Sequence, residues 1–231
     1  MGFYTSAPSR CIRGMNDGAV LLSFFLISIF LFPSLESFKR ARAVLCVKLA
    51  FVFHRSAAAG MNSIDVIDLY TALEKLSVEI WVDGGWGVDA LLGEQTRPHG
   101  DLDIAIEQKD VPKLRQFLQE RGYRDIKLED AKPWNFVLGD ENGREIDVHV
   151  IVLDDRGNGL YGPPQKGEMY PAASLTGKGE IRGYTVRCIS PEWSVKFHSG
   201  YQLKDKDFRD VAALCKKFGI ELPAAYEQFK K

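Results

Sequence analysis

The sequence predicts an α+β fold, a small mixed β-sheet flanked by helices and followed by a C-terminal helical tail. Three observations carry that reading. Short apolar runs over residues 78–82, 101–107 and 144–153 have the length and composition of strands. Between them lie segments whose apolar residues recur every three or four positions, the period of a half-buried helix. Beyond residue 190 every remaining periodic stretch is helical.

Taken in order, residues 1–60 come first. Ala19–Phe32 is a 14-residue apolar run broken only by Ser23 and Ser28, behind Arg10 and Arg13. As a helix it would reach about 21 Å, short of the roughly 30 Å of a bilayer core. Its length suits a signal-peptide apolar region, but Pro33–Ser37 offers no small-residue cleavage site, and Ala57–Ala59 lies far downstream. A second run, Ala43–Phe53, contains Lys48. Residues 1–60 therefore read as a leader or mis-extended start outside the working fold. A membrane role is expected only through this segment.

Met61-Asn62-Ser63 is the natural start of the fold, with Ser63 as N-cap of a helix that buries Val66, Ile67, Tyr70, Leu73 and Leu76. Val78–Val82 is the first strand and Val88–Leu92 a short helix ending at Gly93. Asp101–Glu107 is the second strand. Asp110 caps a helix that has Pro112 in its first turn and buries Leu114, Phe117 and Leu118. Trp134–Leu138 and Arg144–Leu153 form a hairpin around Gly139–Gly143. Residues 154–180, with six glycines and three prolines, read as a long loop that could close over a substrate. Ile181–Ile189 is a strand turning at Gly183. Ser190-Pro191-Glu192 starts a helix that leads into Trp193–Leu203, and further helices are expected from Asp205 or Lys206 to Gly219 and over Pro223–Lys230.

The 231 residues suffice for one or two domains. Charge is uneven: residues 1–60 carry seven basic and two acidic side chains, residues 61–231 carry 23 and 29. An acidic domain of this size is a poor nucleic-acid binder and a suitable host for a cationic small molecule. The four cysteines, Cys11, Cys46, Cys188 and Cys215, form no C-x-x-C pair, which argues against a zinc site or a disulfide framework and for a reducing compartment.

The chemistry concentrates between Glu79 and Ile106. Alternation along the strand Asp101–Glu107 puts Asp101 and Asp103 on one face and Leu102, Ile104 and Ile106 on the other. Their Cα atoms lie about 6.5–7 Å apart, so both carboxylates can meet on one hard cation such as Mg²⁺. Upstream, Gly84-Gly85 leaves backbone N–H groups free to approach phosphates at a helix N-terminus. On the strand Arg144–Leu153, Glu145, Asp147 and His149 share one face, which offers a third acid or a general base. Arg97 and His99 precede the metal strand and could contact phosphate, as could Lys204 and Lys206 from the tail. Asp83 and Asp89 either line an acidic pocket or cap the turn and short helix. Trp81, Trp134 and Trp193 read as core, and His198 as a helix-packing histidine.

Four blocks together, Trp-Val-Asp-Gly-Gly-Trp-Gly-Val-Asp (81–89), Arg-Pro-His-Gly-Asp-Leu-Asp (97–103), Glu-Ile-Asp-Val-His (145–149) and Phe-His-Ser-Gly-Tyr (197–201), resemble the lincosamide nucleotidyltransferases. More distantly they resemble the aminoglycoside nucleotidyltransferases, both within the polymerase-beta-like superfamily. The resemblance covers residues 64–217 and implies a nucleotidyltransferase core over 61–155, followed over 156–231 by the lid loop, a strand and the C-terminal helices. It implies that Gly84 and Gly85, with the adjoining Trp86, cradle a triphosphate, that Asp101, Asp103 and Asp147 hold Mg²⁺, and that Asp147 is metal ligand, general base or both. It further implies transfer of a nucleoside monophosphate, from ATP or another NTP, to an antibiotic hydroxyl in the cytoplasm. Much of the superfamily places serine directly after the first glycine; this chain has Gly85, then Trp86, so that hydroxyl is absent. Two other functions compete, AMP transfer to a protein and a non-catalytic nucleotide-binding module. Retention of all three acids argues against the latter.

Overall fold

The computed structural model describes residues 60–163, 165, 167–199 and 201–229. The leader reading therefore concerns, apart from Gly60, residues outside those described. Helix α1, Ser63–Lys75, starts one residue earlier than the sequence suggests: the cap is Asn62, not Ser63. Its Oδ1 accepts from the N–H groups of Ile64 and Asp65, at 2.8 and 3.1 Å, while Asp65 accepts from the Asn62 N–H at 3.2 Å. Two otherwise orphaned donors are thereby satisfied reciprocally.

The sheet has nine strands among the described residues. Its main path runs β3 (Arg124–Ile126), β4 (Asn135–Gly139), β5 (Glu145–Leu153), β2 (Asp101–Glu107), β1 (Ile80–Val82), β9 (Tyr184–Cys188), β8 (Gly177–Ile181). Strands β6 (Gly159–Tyr161) and β7 (Met169–Tyr170) extend β5. The pairing is mixed, with β2 parallel to β5 and β1 parallel to β9, and the remaining neighbours antiparallel. Helix α2 is Gly84–Leu92 and α3 is Val111–Glu120; α4, Pro191–Phe197, and α5, Asp205–Phe218, form the tail.

Alternation divides the sheet's faces as the residue pattern requires. Leu102, Ile104 and Ile106 of β2 and Ile146, Val148 and Val150 of β5 join one large core with the apolar stripes of α1 and α3. The opposite face carries a second, largely aromatic cluster of Trp81, Ala105, Ile151, Tyr161, Tyr170, Ile189 and Phe197, against which Trp134 and Trp193 pack. The candidate acids lie on this second face, at the end where β2 and β5 begin.

Several expected boundaries shift. Helix α2 starts at Gly84 rather than Val88, because Asp83 caps it by accepting the Gly84 N–H at 2.8 Å. Asp110 ends a short 3-10 turn and makes no side-chain cap bond to α3. The helix expected over Trp193–Leu203 ends at Phe197, and the last helix is a 3-10 segment, Ala224–Phe229. The largest difference is over residues 154–180, which hold β6, β7, a 3-10 turn and most of β8 rather than one long loop. Glycines mislead there because they sit in strands where backbones come close: a Cβ at Gly179 would lie 2.4 Å from the Ala90 carbonyl of α2, and one at Gly177 would lie 2.4 Å from the Cys188 carbonyl oxygen.

Candidate active site

The parallel pairing of β2 with β5 assembles the site. Its register sets Asp101 beside Glu145, Asp103 beside Asp147 and Ala105 beside His149. The outermost pair is the more exposed, and His149 is 4 % exposed beneath it. One oxygen each from Asp103 and Asp147 and one ring nitrogen of His149 lie within 4.8 Å of one another. Asp101 is not in that closest set, but its charge reaches Asp103, Asp147 and Glu145.

These acids oppose one another electrostatically. Burial first, and then the charges of Asp101, Asp147 and Asp83, push Asp103 well above the usual carboxylate range, with Lys206 pulling the other way. Burial likewise raises Asp147; His149 is the main opposing influence, ahead of the Asn135 hydrogen bond, while Asp101 and Asp83 add to the rise. Glu145 is raised by burial and by Asp101 and Asp147. Desolvated like charges that resist ionisation together are what a divalent cation relieves, and carboxylate oxygens are the donors a hard ion takes. The residues therefore fit a bound divalent cation.

The glycine turn adjoins the acids directly. Gly84 has φ +55° and begins α2, and a Cβ there would lie 2.0 Å from Asp103 Oδ2. Only glycine both adopts that conformation cheaply and lets the backbone lie against the carboxylate. Gly84→Ala is therefore expected to abolish nucleotide-dependent activity while the protein stays folded. Circular dichroism alongside a turnover assay checks this, and wild-type turnover would contradict the close approach. Gly85 answers a different need: a Cβ on it would meet His99 Nδ1 at 2.3 Å and Arg97 Nη2 at 2.8 Å. No serine fits after the first glycine here, because those two side chains fill its place.

The remaining sequence candidates separate. His99 is buried, packs its ring on Trp86 at 4.7 Å and bonds through Nε2 to Asp89, which also accepts from the Thr96 N–H and hydroxyl. His99 and Asp89 thus fasten the loop between α2 and β2. Arg97 bonds Asp210 of α5 at 2.7 Å, which ties the same loop to the tail, and keeps its guanidinium partly exposed beside Gly85. Trp86 is 1 % exposed, so its side chain belongs to the core, and only its backbone lies at the helix start. Asp83 caps α2 and accepts from the Tyr170 hydroxyl at 3.2 Å. Lys204 is exposed at the N-cap of α5, where its N–H donates to Asp207 at 2.8 Å; the lysine whose charge reaches Asp103 is Lys206. His198 bonds Ser194 O at 2.8 Å within its own helix.

Sequence reasoning missed Asn135. On β4 it stands opposite His149 and donates through Nδ2 to Asp147 Oδ1 at 3.0 Å. The hairpin pattern was visible, but only the register reveals which β4 side chain faces the third acid. Cys188 and Cys215 are free and buried.

Against known proteins, the model of the aminoglycoside-2''-adenylyltransferase family matches residues 65–214. A lincosamide resistance protein of Staphylococcus haemolyticus is 34 % identical over 149 residues, 64 % of this chain and 89 % of that protein. A 2''-aminoglycoside nucleotidyltransferase of Escherichia coli is 29 % identical over 126 residues, 54 % of this chain and 65 % of that one. Among solved structures, the lincomycin-bound lincosamide antibiotic adenylyltransferase LnuA is similar with a TM-score of 0.59 and 30 % identity, covering 70 % of this chain and 99 % of its own. ANT(2'')-Ia with adenylyl-2''-tobramycin shares the fold, with a TM-score of 0.55 and 21 % identity over 72 % and 97 %.

Proposed function

As the chain belongs to the aminoglycoside-2''-adenylyltransferase family and is an antibiotic-modifying nucleotidyltransferase, we propose that it moves the nucleoside monophosphate of ATP onto a hydroxyl of a lincosamide. The observation that carries this reading is the β2–β5 register, which sets Asp101, Asp103 and Asp147 on one face, with Gly84 lying against Asp103. The 34 % identity to a lincosamide resistance protein favours that acceptor over an aminoglycoside.

Asp101, Asp103 and Asp147 would hold Mg²⁺, which when bound neutralises charge on the phosphates and on the departing pyrophosphate. The first-turn N–H groups of α2 after Gly84, whose own N–H is held by Asp83, bind and orient the triphosphate, as a helix N-terminus does for an anion. Lys206 adds positive charge from the tail, and Arg97 lines the same turn. Asp147, steadied by Asn135, accepts the proton of the acceptor hydroxyl. That oxygen forms its bond to the α-phosphorus as the bond to pyrophosphate breaks. The test is pyrophosphate release that requires both Mg²⁺ and a lincosamide; release that ignores the antibiotic would count against the assignment.

The working fold is taken to begin at Met61, the cytoplasm being its site of action because the reaction consumes NTP. Met61 is 2 % exposed, Asn62 caps α1, and no described helix is long and apolar enough to cross a membrane. A protein starting at Met61 is expected to match the full chain in turnover per folded molecule. Side-by-side purification and assay check this, and an unfolded or inactive shorter protein would contradict it.

A further inference from the structure

The buried His149 adds a nitrogen to a site otherwise built of oxygens. Its Nδ1 edge faces the Tyr161 hydroxyl, whose oxygen lies 3.4 Å away. Nε2 is thus the nitrogen that faces the acids, 3.8 Å from Asp147 Oδ1. That separation exceeds a hydrogen bond. It suits two ligands of one ion, since N and O ligands each about 2.0–2.2 Å from a metal stand up to about 4.4 Å apart. The three ligand atoms lie within 4.8 Å of one another. The surroundings supply the orientation a metal-binding imidazole needs: with the proton on Nδ1, the Tyr161 hydroxyl oxygen accepts it and Nε2 presents its lone pair. The Asn135 amide holds Asp147 through Oδ1 at 3.0 Å.

We propose that Asp103, Asp147 and His149 form a mixed oxygen–nitrogen site that takes a borderline divalent ion, of the Mn²⁺, Co²⁺ or Zn²⁺ class, more tightly than Mg²⁺ and without nucleotide. The proposal rests on reading these acids as a metal site, and it deepens that reading by naming which ion the site selects. Imidazole favours first-row transition metals, whereas Mg²⁺ keeps to oxygen donors and retains its waters. Asp101 lies outside this closest set, so the site differs in composition from the three-carboxylate site of the transfer reaction.

Co²⁺ and Mg²⁺ are titrated separately into the nucleotide-free full chain, followed by calorimetry and by the visible bands of Co²⁺. One equivalent of Co²⁺ is expected to bind more tightly than Mg²⁺. His149→Ala and His149→Gln should each weaken Co²⁺ by about tenfold or more, the scale on which even an outer partner of a metal ligand counts, and should shift its bands. Their Mg²⁺ affinity should change less. Should the variants fail to fold, X-ray absorption of the wild-type chain loaded with one equivalent of Zn²⁺ decides: imidazole scattering supports the site, and an oxygen-only shell overturns it. Co²⁺ binding no tighter than Mg²⁺, or unaltered in the variants, also overturns it and leaves His149 as a charge partner of Asp147. Neither result depends on transfer, because no nucleotide or acceptor is present; Mg²⁺-dependent turnover of the wild-type chain judges the transfer reading by itself.

Discussion

Asp103→Asn is expected to abolish nucleotidyl transfer and, in the same protein, to raise the melting temperature in the absence of divalent ions. The two effects share one cause. Burial and the neighbouring charges of Asp101, Asp147 and Asp83 hold the Asp103 carboxyl well above its ordinary value. A carboxyl raised on folding stabilises the protein fully below its unfolded pKa, and that contribution is lost as pH rises through the folded pKa. At neutral pH the wild-type site is therefore a destabilised one, awaiting a cation. A neutral amide removes the repulsion and also the ligand, since an amide is a weaker partner for Mg²⁺ than a carboxylate. Thermal unfolding at acid and neutral pH, with and without Mg²⁺, checks the linkage. The stability gap between variant and wild type should widen with pH and narrow when Mg²⁺ is added. Asp101→Asn should also abolish turnover. Wild-type rates in either variant would remove the metal assignment.

Asp147→Asn is expected to lower kcat by roughly 10²–10⁴, the usual worth of a general base. The register separates it from the two other candidates on its strand. Glu145 stands at the exposed outer end beside Asp101, and His149 lies buried beneath, against Tyr161. Only Asp147 pairs with Asp103 and receives a fixed hydrogen bond from Asn135. If proton transfer is its main task, Mg²⁺-ATP binding should change little; a large loss of nucleotide affinity would make it chiefly a ligand. Full activity in Asp147→Asn with loss in Glu145→Gln would move the role to Glu145.

The sequence discloses the face of each acid better than the company it keeps. Period-two alternation already placed Asp101 with Asp103, and Asp147 with His149, and the buried Leu102, Ile104, Ile146 and Val148 agree with it. What alternation cannot supply is register between strands, and Asn135 became visible only through it. Lys204 and Lys206 were indistinguishable in sequence, because which of them looks toward Asp103 depends on where α5 is capped. Trp86 and His99 stand beside motif residues and read as ligands, yet burial makes the first a core side chain and the second the partner of Asp89. Residues 154–180 were misread for a similar reason: strands of two, three and five residues with glycines at close backbone approaches leave no period to detect.

The central claim, transfer of AMP to a lincosamide hydroxyl, is tested most directly by the mass of the acceptor. The full chain is incubated with Mg²⁺, ATP and, separately, members of a panel of lincosamides and aminoglycosides. The account predicts a nucleotidyl addition on a lincosamide, absent without Mg²⁺ and absent with Asp103→Asn. No addition to any member of the panel, or label from ATP appearing on protein instead of antibiotic, would contradict it.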